Sequence, residues 1–287
     1  MQPGEFTYRS ADGLDLFYRE YRSATSGLDV LCLPGLTRNS ADFSTLAATL
    51  STRYRVIAPD LRGRGRSAWD PQWSNYQPMV YVHDILSLLD HLALPRVVVI
   101  GTSLGGVLAM VLAASRSDRI AGIVLNDVAP EVSLEGVARI AEYVGRAAPV
   151  ANWDEAVRQS KANYGSALPG LSEQQWRDFA ERSYRQQPDG TIIADYDPNI
   201  GTAIRATPPV TADLWPLFRT LASIPMLAFR GANSDIVAPA VFDRMLAEHP
   251  TLQRVVVPDR GHAPLLTEPE CTLAIEQFLQ SIDSASH

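Results

Sequence analysis

The sequence is poor in cysteine, in long apolar runs and in clustered positive charge, and each shortage removes a class of protein. Two cysteines, Cys32 and Cys271, lie far apart in a chain of 287 residues, too few for the disulfide framework of a small secreted domain. Cys32 falls in an apolar strand-like run and Cys271 in a helical one, so both are expected as buried free thiols. No apolar run approaches the ~18 residues that span a bilayer, and residues 1–13 lack the apolar core of a secretory signal. A cytoplasmic protein with no membrane partner is the expectation. Lys and Arg total 25 against 32 Asp and Glu, a net charge of −7. Phosphate contacts need clustered cations, so nucleic acid is not an expected partner. The one basic cluster, Arg62, Arg64 and Arg66, is diluted by glycine. H-x-H, H-E-x-x-H and C-x-x-C spacings are all missing, so neither a metal site nor a cofactor is expected.

Core-forming residues are plentiful. Apolar residues make up 46% and charged residues 20%, which excludes global disorder and coiled coil. Residues 6–9 and 15–20 alternate in the strand manner around Ala11-Asp12-Gly13, which predicts a hairpin. Residues 29–33, 55–58, 96–100, 120–125, 225–229 and 254–257 are short apolar runs. The dense run Val97-Val98-Val99-Ile100 has no polar alternation, as a strand buried on both faces requires. Helical spacing lies between them: residues 42–50, the stretch after Pro78, residues 104–114, and a last helix introduced by Thr267 and Glu270 as a capping box. This alternation predicts an α/β fold, a mostly parallel central sheet with helices on both faces. Between residues 129 and 210 the alternation stops. Helices are expected at 134–145, 154–164 and 173–185, with a turn at Pro188-Asp189-Gly190 and Pro208-Pro209 closing the segment. The core is therefore expected at 1–129 and 211–287, with an α-helical insertion at 130–210.

The most informative stretch is Gly101-Thr102-Ser103-Leu104-Gly105, a G-x-S-x-G between a buried strand and a buried helix. A serine on so tight a turn needs neighbours without Cβ atoms, and its hydroxyl then stands clear above a helix N-terminus. Ser103 is the expected nucleophile. Of five histidines, His262 alone sits in a glycine- and proline-bounded loop after the last strand, on the sheet edge where ligands bind; it is the expected base. Two aspartates follow core strands and could orient the imidazole, Asp235 and Asp127. Asp235 is favoured, because its loop Gly231-Ala232-Asn233-Ser234 suits a turn that projects a carboxylate. Oxyanion donors are expected from the backbone N–H groups of Leu104 and of Leu36, the latter aimed inward by a sharp turn at Gly35. Arg38, Trp153, Tyr164 and Trp176 are candidate substrate-binding residues, with Phe179 and Tyr184 as further candidate liners of the site.

These residues resemble the α/β-hydrolase superfamily in its branch of small lidded serine hydrolases. The resemblance rests on Pro34-Gly35-Leu36, Asp60-Leu61-Arg62-Gly63-Arg64-Gly65-Arg66-Ser67, the serine turn, residues 231–237 and Gly261-His262-Ala263-Pro264. It implies Ser103, His262 and Asp235 as nucleophile, base and acid, and the insertion as a lid. Pro34 replaces the histidine usual in the family's oxyanion loop. A serine at 103, where relatives that open epoxides or remove halide carry aspartate, implies acyl transfer. The expected function is cleavage of a small carboxylic ester or lactone by a monomer or homodimer. The alternatives are a C–C bond hydrolase of aromatic-degradation diketone acids and a non-catalytic small-ligand receptor on the same fold. If the chemistry needs no metal, prolonged treatment with EDTA or phenanthroline leaves turnover unchanged; loss restored by zinc or manganese overturns the reading.

Overall fold

Runs of β-branched and apolar residues form a central sheet in the computed structural model, which describes residues 2–23, 27–206 and 213–285. The strands of the first half are β1 (Gly4–Arg9), β2 (Asp15–Tyr21), β3 (Asp29–Leu33), β4 (Arg55–Pro59), β5 (Val97–Thr102) and β6 (Ile120–Asn126). They alternate with helices α1 (Ser44–Leu50), α2 (Pro78–His91) and α3 (Leu104–Ser115). The segment after β6 holds α4 (Leu134–Tyr143), α5 (Trp153–Tyr164), α6 (Glu173–Ser183), β7 (Tyr184–Gln186), β8 (Ile192–Ala194) and α7 (Asn199–Ala206). The chain closes with α8 (Trp215–Thr220), β9 (Met226–Gly231), α9 (Pro239–Glu248), β10 (Leu252–Val257) and α10 (Pro269–Ala285).

The sheet has eight strands in the order β1-β2-β4-β3-β5-β6-β9-β10. Only the β1–β2 and β2–β4 pairings are antiparallel; β4, β3, β5, β6, β9 and β10 run parallel. Successive residues serve opposite faces, as strand pleating demands. Leu31, Leu33, Val97 and Val99 pack with Ile85 and Leu88 of α2, Leu108 of α3 and Phe218 of α8. Val30, Cys32, Val98 and Ile100 pack with Leu46 of α1 and Ile275 and Phe278 of α10. Both cysteines are free and buried in this second layer, and burial pushes their thiol pKa values far up. No helix among the described residues is long and apolar enough to cross a membrane.

The segment between β6 and β9 departs from an all-helical reading. After α6 the chain turns through Pro188-Asp189-Gly190 in a short antiparallel hairpin, β7–β8; strands of three residues each are too short to leave an alternating pattern in the sequence. The segment has its own small core around Val157, Leu168, Trp176, Phe179 and Ile192. Pro208-Pro209, the boundary at 210 and the C-terminal His287 lie outside the described residues. The last helix starts at Pro269, with the Cys271 N–H on the Glu268 carbonyl; Thr267 makes no capping bond among the described residues.

The segment Asp60-Leu61-Arg62-Gly63-Arg64-Gly65-Arg66-Ser67 is buried apart from Arg66 and carries several ion pairs. Arg62 donates bidentately to Asp84 at 2.7 and 2.6 Å and also to Asp70 at 2.6 Å and Asp12 at 2.8 Å. Asp60 accepts the backbone N–H groups of Ser40 at 2.7 Å and Arg66 at 2.8 Å. Gly63 and Gly65 exchange backbone bonds with Asp197 and Asp195 of the inserted segment. Replacing Arg62 by Met strands Asp84 and Asp70 as buried carboxylates without a counter-charge. The expected loss is about 3–5 kcal/mol, read as a fall in the urea midpoint; a shift within experimental error refutes it.

Candidate active site

Three loops at the carboxyl edge of the parallel strands bring the polar residues together. The first is the turn from β5 into α3. Ser103 there has φ 51° and ψ −115°, a conformation that is unfavourable for a residue with a side chain. It is held by its N–H on the Asn126 carbonyl at 3.0 Å, and by its own carbonyl accepting from Gly106 at 2.9 Å. A Cβ at residue 101 would overlap the Gly105 carbonyl, and one at residue 105 would overlap that of Leu33. These two glycines are therefore required by packing, as the sequence pattern implied.

The second loop follows β10. Within it His262 is almost buried, with 8% of its side chain exposed. Its Nε2 lies 2.8 Å from Ser103 Oγ. The loop is pinned at three points. The Gly261 N–H donates to the Ala167 carbonyl of the inserted segment at 2.7 Å. Arg260 Nε donates to Glu268 at 2.6 Å, and Asn126 Nδ2 donates to the Pro264 carbonyl at 2.9 Å.

The third loop follows β6 and corrects the expected partner of His262. His262 Nδ1 lies 2.7 Å from Oδ2 of Asp127, not of Asp235. Asp127 is fully buried and has φ 51°, a left-handed conformation that Asp tolerates better than most residues. Its carboxylate also accepts the Gly231 N–H at 2.8 Å and the Ser234 hydroxyl at 2.6 Å. The loop expected to supply the acid thus holds it in place. Asp235 faces outward and pairs with Arg139 of α4 at 2.6 and 3.1 Å, with 45% of its side chain exposed. β6 and β9 are parallel neighbours, so both aspartates leave the sheet on the same edge; the rotation of each loop decides which carboxylate turns inward.

Leu36 lines the cavity above Ser103, and Leu104 opens α3 directly after it. Neither backbone N–H has a hydrogen-bond partner among the described residues. Gly35 does not adopt a positive φ; the turn is closed instead by the Arg38 N–H on the Gly35 carbonyl at 3.1 Å. Buried Arg64 donates from Nε to the Leu36 carbonyl at 2.9 Å and stacks over Tyr81, 4.7 Å from its centroid. The sequence offered no sign of this support beyond the presence of the arginine.

The cavity has a volume of about 440 Å³ and is walled by the strand-end loops on one side and by α4, α5 and α6 on the other, a size suited to a small organic ligand. Tyr164 and Phe179 line it, and the Tyr164 hydroxyl lies 3.3 Å from Thr37 Oγ1. Trp153, Trp176 and Tyr184 do not line it; they pack in the core of the inserted segment, because helical spacing alone does not say which face turns toward the sheet. Arg38 is buried and reaches the cavity wall. Its guanidinium grips Asp42 through Nε at 2.6 Å and Nη2 at 2.5 Å, donates to Ser183, and stacks 4.2 Å from the Phe179 centroid. Burial opposes its charge, but Asp42 outweighs burial and raises its pKa. No group of three or more His, Cys, Asp or Glu among the described residues could hold a metal ion.

A family model described as the alpha/beta hydrolase family matches residues 30–274. The chain is 32% identical over 272 residues, 91% of each chain, to the 3-hydroxybutyrate-oligomer hydrolase of Cupriavidus necator. It is 30% identical over 261 residues, again 91% of each, to the 2-(acetamidomethylene)succinate hydrolase of Mesorhizobium japonicum. Among solved structures it is similar to an alpha/beta hydrolase from Novosphingobium aromaticivorans, with a TM-score of 0.91, 43% identity and coverage of 98% of this chain and 99% of that one. If Asp127 orients His262, Asp127→Asn lowers kcat about 10²- to 10⁴-fold and Asp235→Asn lowers it far less. Steady-state kinetics of both variants check this, and the reverse ranking refutes it.

Proposed function

Because the chain belongs to the alpha/beta hydrolase family, we propose that it is a serine hydrolase that cleaves a small carboxylic ester through an acyl-enzyme. The observation that carries this reading is the hydrogen-bonded line of Ser103 Oγ, His262 and Asp127, at 2.8 and 2.7 Å, opening on a cavity at its serine end. His262 Nε2 takes the Ser103 proton as Oγ bonds to the ester carbonyl carbon. The negative charge that moves onto the carbonyl oxygen is met by the N–H groups of Leu36 and Leu104. Asp127, shut away from water behind the ring, keeps the Nδ1 proton in place and stabilises the imidazolium. The imidazolium then returns its proton to the departing alkoxide, leaving the acyl group on Ser103. Water enters and gives a proton to His262 as it bonds to the acyl carbon; the imidazolium then returns that proton to Ser103 Oγ as the acyl–oxygen bond breaks and the acid leaves.

In this reading residues 130–210 act as a lid, since α4–α6 supply the far wall of the cavity. An ester is favoured over a C–C bond by the relative that hydrolyses 3-hydroxybutyrate oligomers, because an oligomer of a hydroxy acid is joined by ester bonds. Ser103→Ala is expected to fold normally and to lower kcat at least about 10³-fold. A fluorophosphonate probe should label the wild-type chain on Ser103 alone. Labelling without turnover of any ester favours a non-ester acyl substrate, and near wild-type hydrolysis by the alanine variant ends the acyl-enzyme reading.

A further inference from the structure

The cavity wall carries two guanidinium groups, Arg38 and Arg182, and two carboxylates, Asp42 and Asp178. Arg38 and Asp42 form a closed pair, in which both oxygens of Asp42 accept from Arg38. Arg182, in the last turn of α6, lines the same cavity. Its nearest anion is Asp42 Oδ1 at 3.7 Å, beyond hydrogen-bond reach. Its Nε is sealed from solvent without a hydrogen-bond partner, and its guanidinium donates no hydrogen bond to any described residue. A cation suits the C-terminal end of a helix, which accounts for an arginine at this position. It does not account for a buried Nε left empty, since a buried donor without a partner costs stability. Burial also lowers the pKa of Arg182, as expected of a cation with too few partners. One turn earlier Asp178 lines the cavity as well; its carboxylate accepts from Gln174 at 2.8 Å and tempers the local positive field. Arg38 is therefore not the group that would meet an anionic substrate: its fork is filled, and the open fork on this wall belongs to Arg182.

We propose that Arg182 is a substrate-binding residue that receives a carboxylate carried by the ester, so that the preferred substrate is an anionic ester whose acyl or alcohol portion ends in a carboxylate. This rests on the ester-hydrolase reading. A planar guanidinium with uncommitted N–H groups matches a carboxylate bidentately, and the pairing would satisfy Nε and fix the distance from the anchored end of the substrate to Ser103.

The test compares kcat/KM for monoethyl succinate, adipate and suberate with their diethyl counterparts, and for 4-acetoxybutanoate with its methyl ester. The first set places the carboxylate on the acyl side and the second on the alcohol side. Wild type should favour the anion in at least one set, at a preferred chain length. Arg182→Ala should lower that anion-to-neutral ratio about 10- to 100-fold through KM. Arg182→Lys should restore it in part, and Asp178→Asn should raise it. Equal losses on charged and neutral esters, or no anion preference in either set, overturn the proposal. Calorimetry separates it from the reading on which it rests. Monoethyl adipate should bind Ser103→Ala about 10- to 100-fold more tightly than Ser103→Ala/Arg182→Ala. Such binding without turnover of any ester by the wild type would keep the carboxylate site and remove the ester hydrolase; equal binding to both variants would remove the site.

Discussion

One buried carboxylate ties the polar centre of this molecule together. Asp127 accepts from the Gly231 N–H at the end of β9, from Ser234 in the loop beyond it, and from His262 after β10. With no exposure of its own, it is a carboxyl group that only these donors can satisfy, and leaving it unpaired there would be severely destabilising. The loops after β6, β9 and β10 are thereby held in one relative position, and the imidazole is left with its free nitrogen toward Ser103. Ser234 fixes the carboxylate and is fixed in turn by the N–H groups of Ile236 and Val237 at 3.2 and 3.0 Å. Buried Arg230 closes the same loop by donating to the Val237 carbonyl at 2.7 Å.

The second support comes from the arginine-rich segment at residues 60–67. The burial of Arg62 and Arg64 in a chain of net negative charge is explained by the company they keep: three aspartates around Arg62, and two aromatic rings and two backbone carbonyls around Arg64. The segment joins the loop that bears Leu36 to residues 195–197 of the insertion. The floor of the cavity and one foot of its far wall thus share an anchor. The cavity itself is asymmetric. Leu168, Leu265, Tyr143 and Tyr164 line part of it, whereas the guanidinium groups of Arg38 and Arg182 gather at the C-terminal end of α6. A ligand with one apolar, reactive end and one polar end fits such a surface better than a uniform one does.

Much of this was legible in the sequence, and the reasons are local. Strands buried on both faces read as unbroken apolar runs, so the parallel sheet was visible. The serine turn was visible because close approach of Gly101 and Gly105 to neighbouring backbone excludes any Cβ. His262 stood out by its loop. The alpha/beta hydrolase family membership followed from the same motifs. The aromatic residues of α5 and α6 were legible as residues but not as roles. Tyr164 and Phe179 face the cavity and Trp153 and Trp176 do not, a distinction set by how the helices roll against the core.

The sequence by itself determined the fold class, the turn that carries Ser103 and the loop that carries His262, because each depends on constraints within a few residues: pleating, a steric demand for glycine, a loop after a strand. The tertiary structure alone decided which aspartate meets the imidazole and which arginine keeps its donors free. Asp127 and Asp235 follow parallel strands that lie side by side, and only the turn of each chain after the sheet edge sends one carboxylate inward to His262 and the other outward to Arg139. Arg38 was legible near the site, but Asp42, one turn further along the chain, fills its fork and leaves Arg182, 144 residues away in sequence, as the open one. Both outcomes turn on which polar side chains meet, and such a side chain finds its partner through space, which no local pattern of residues records.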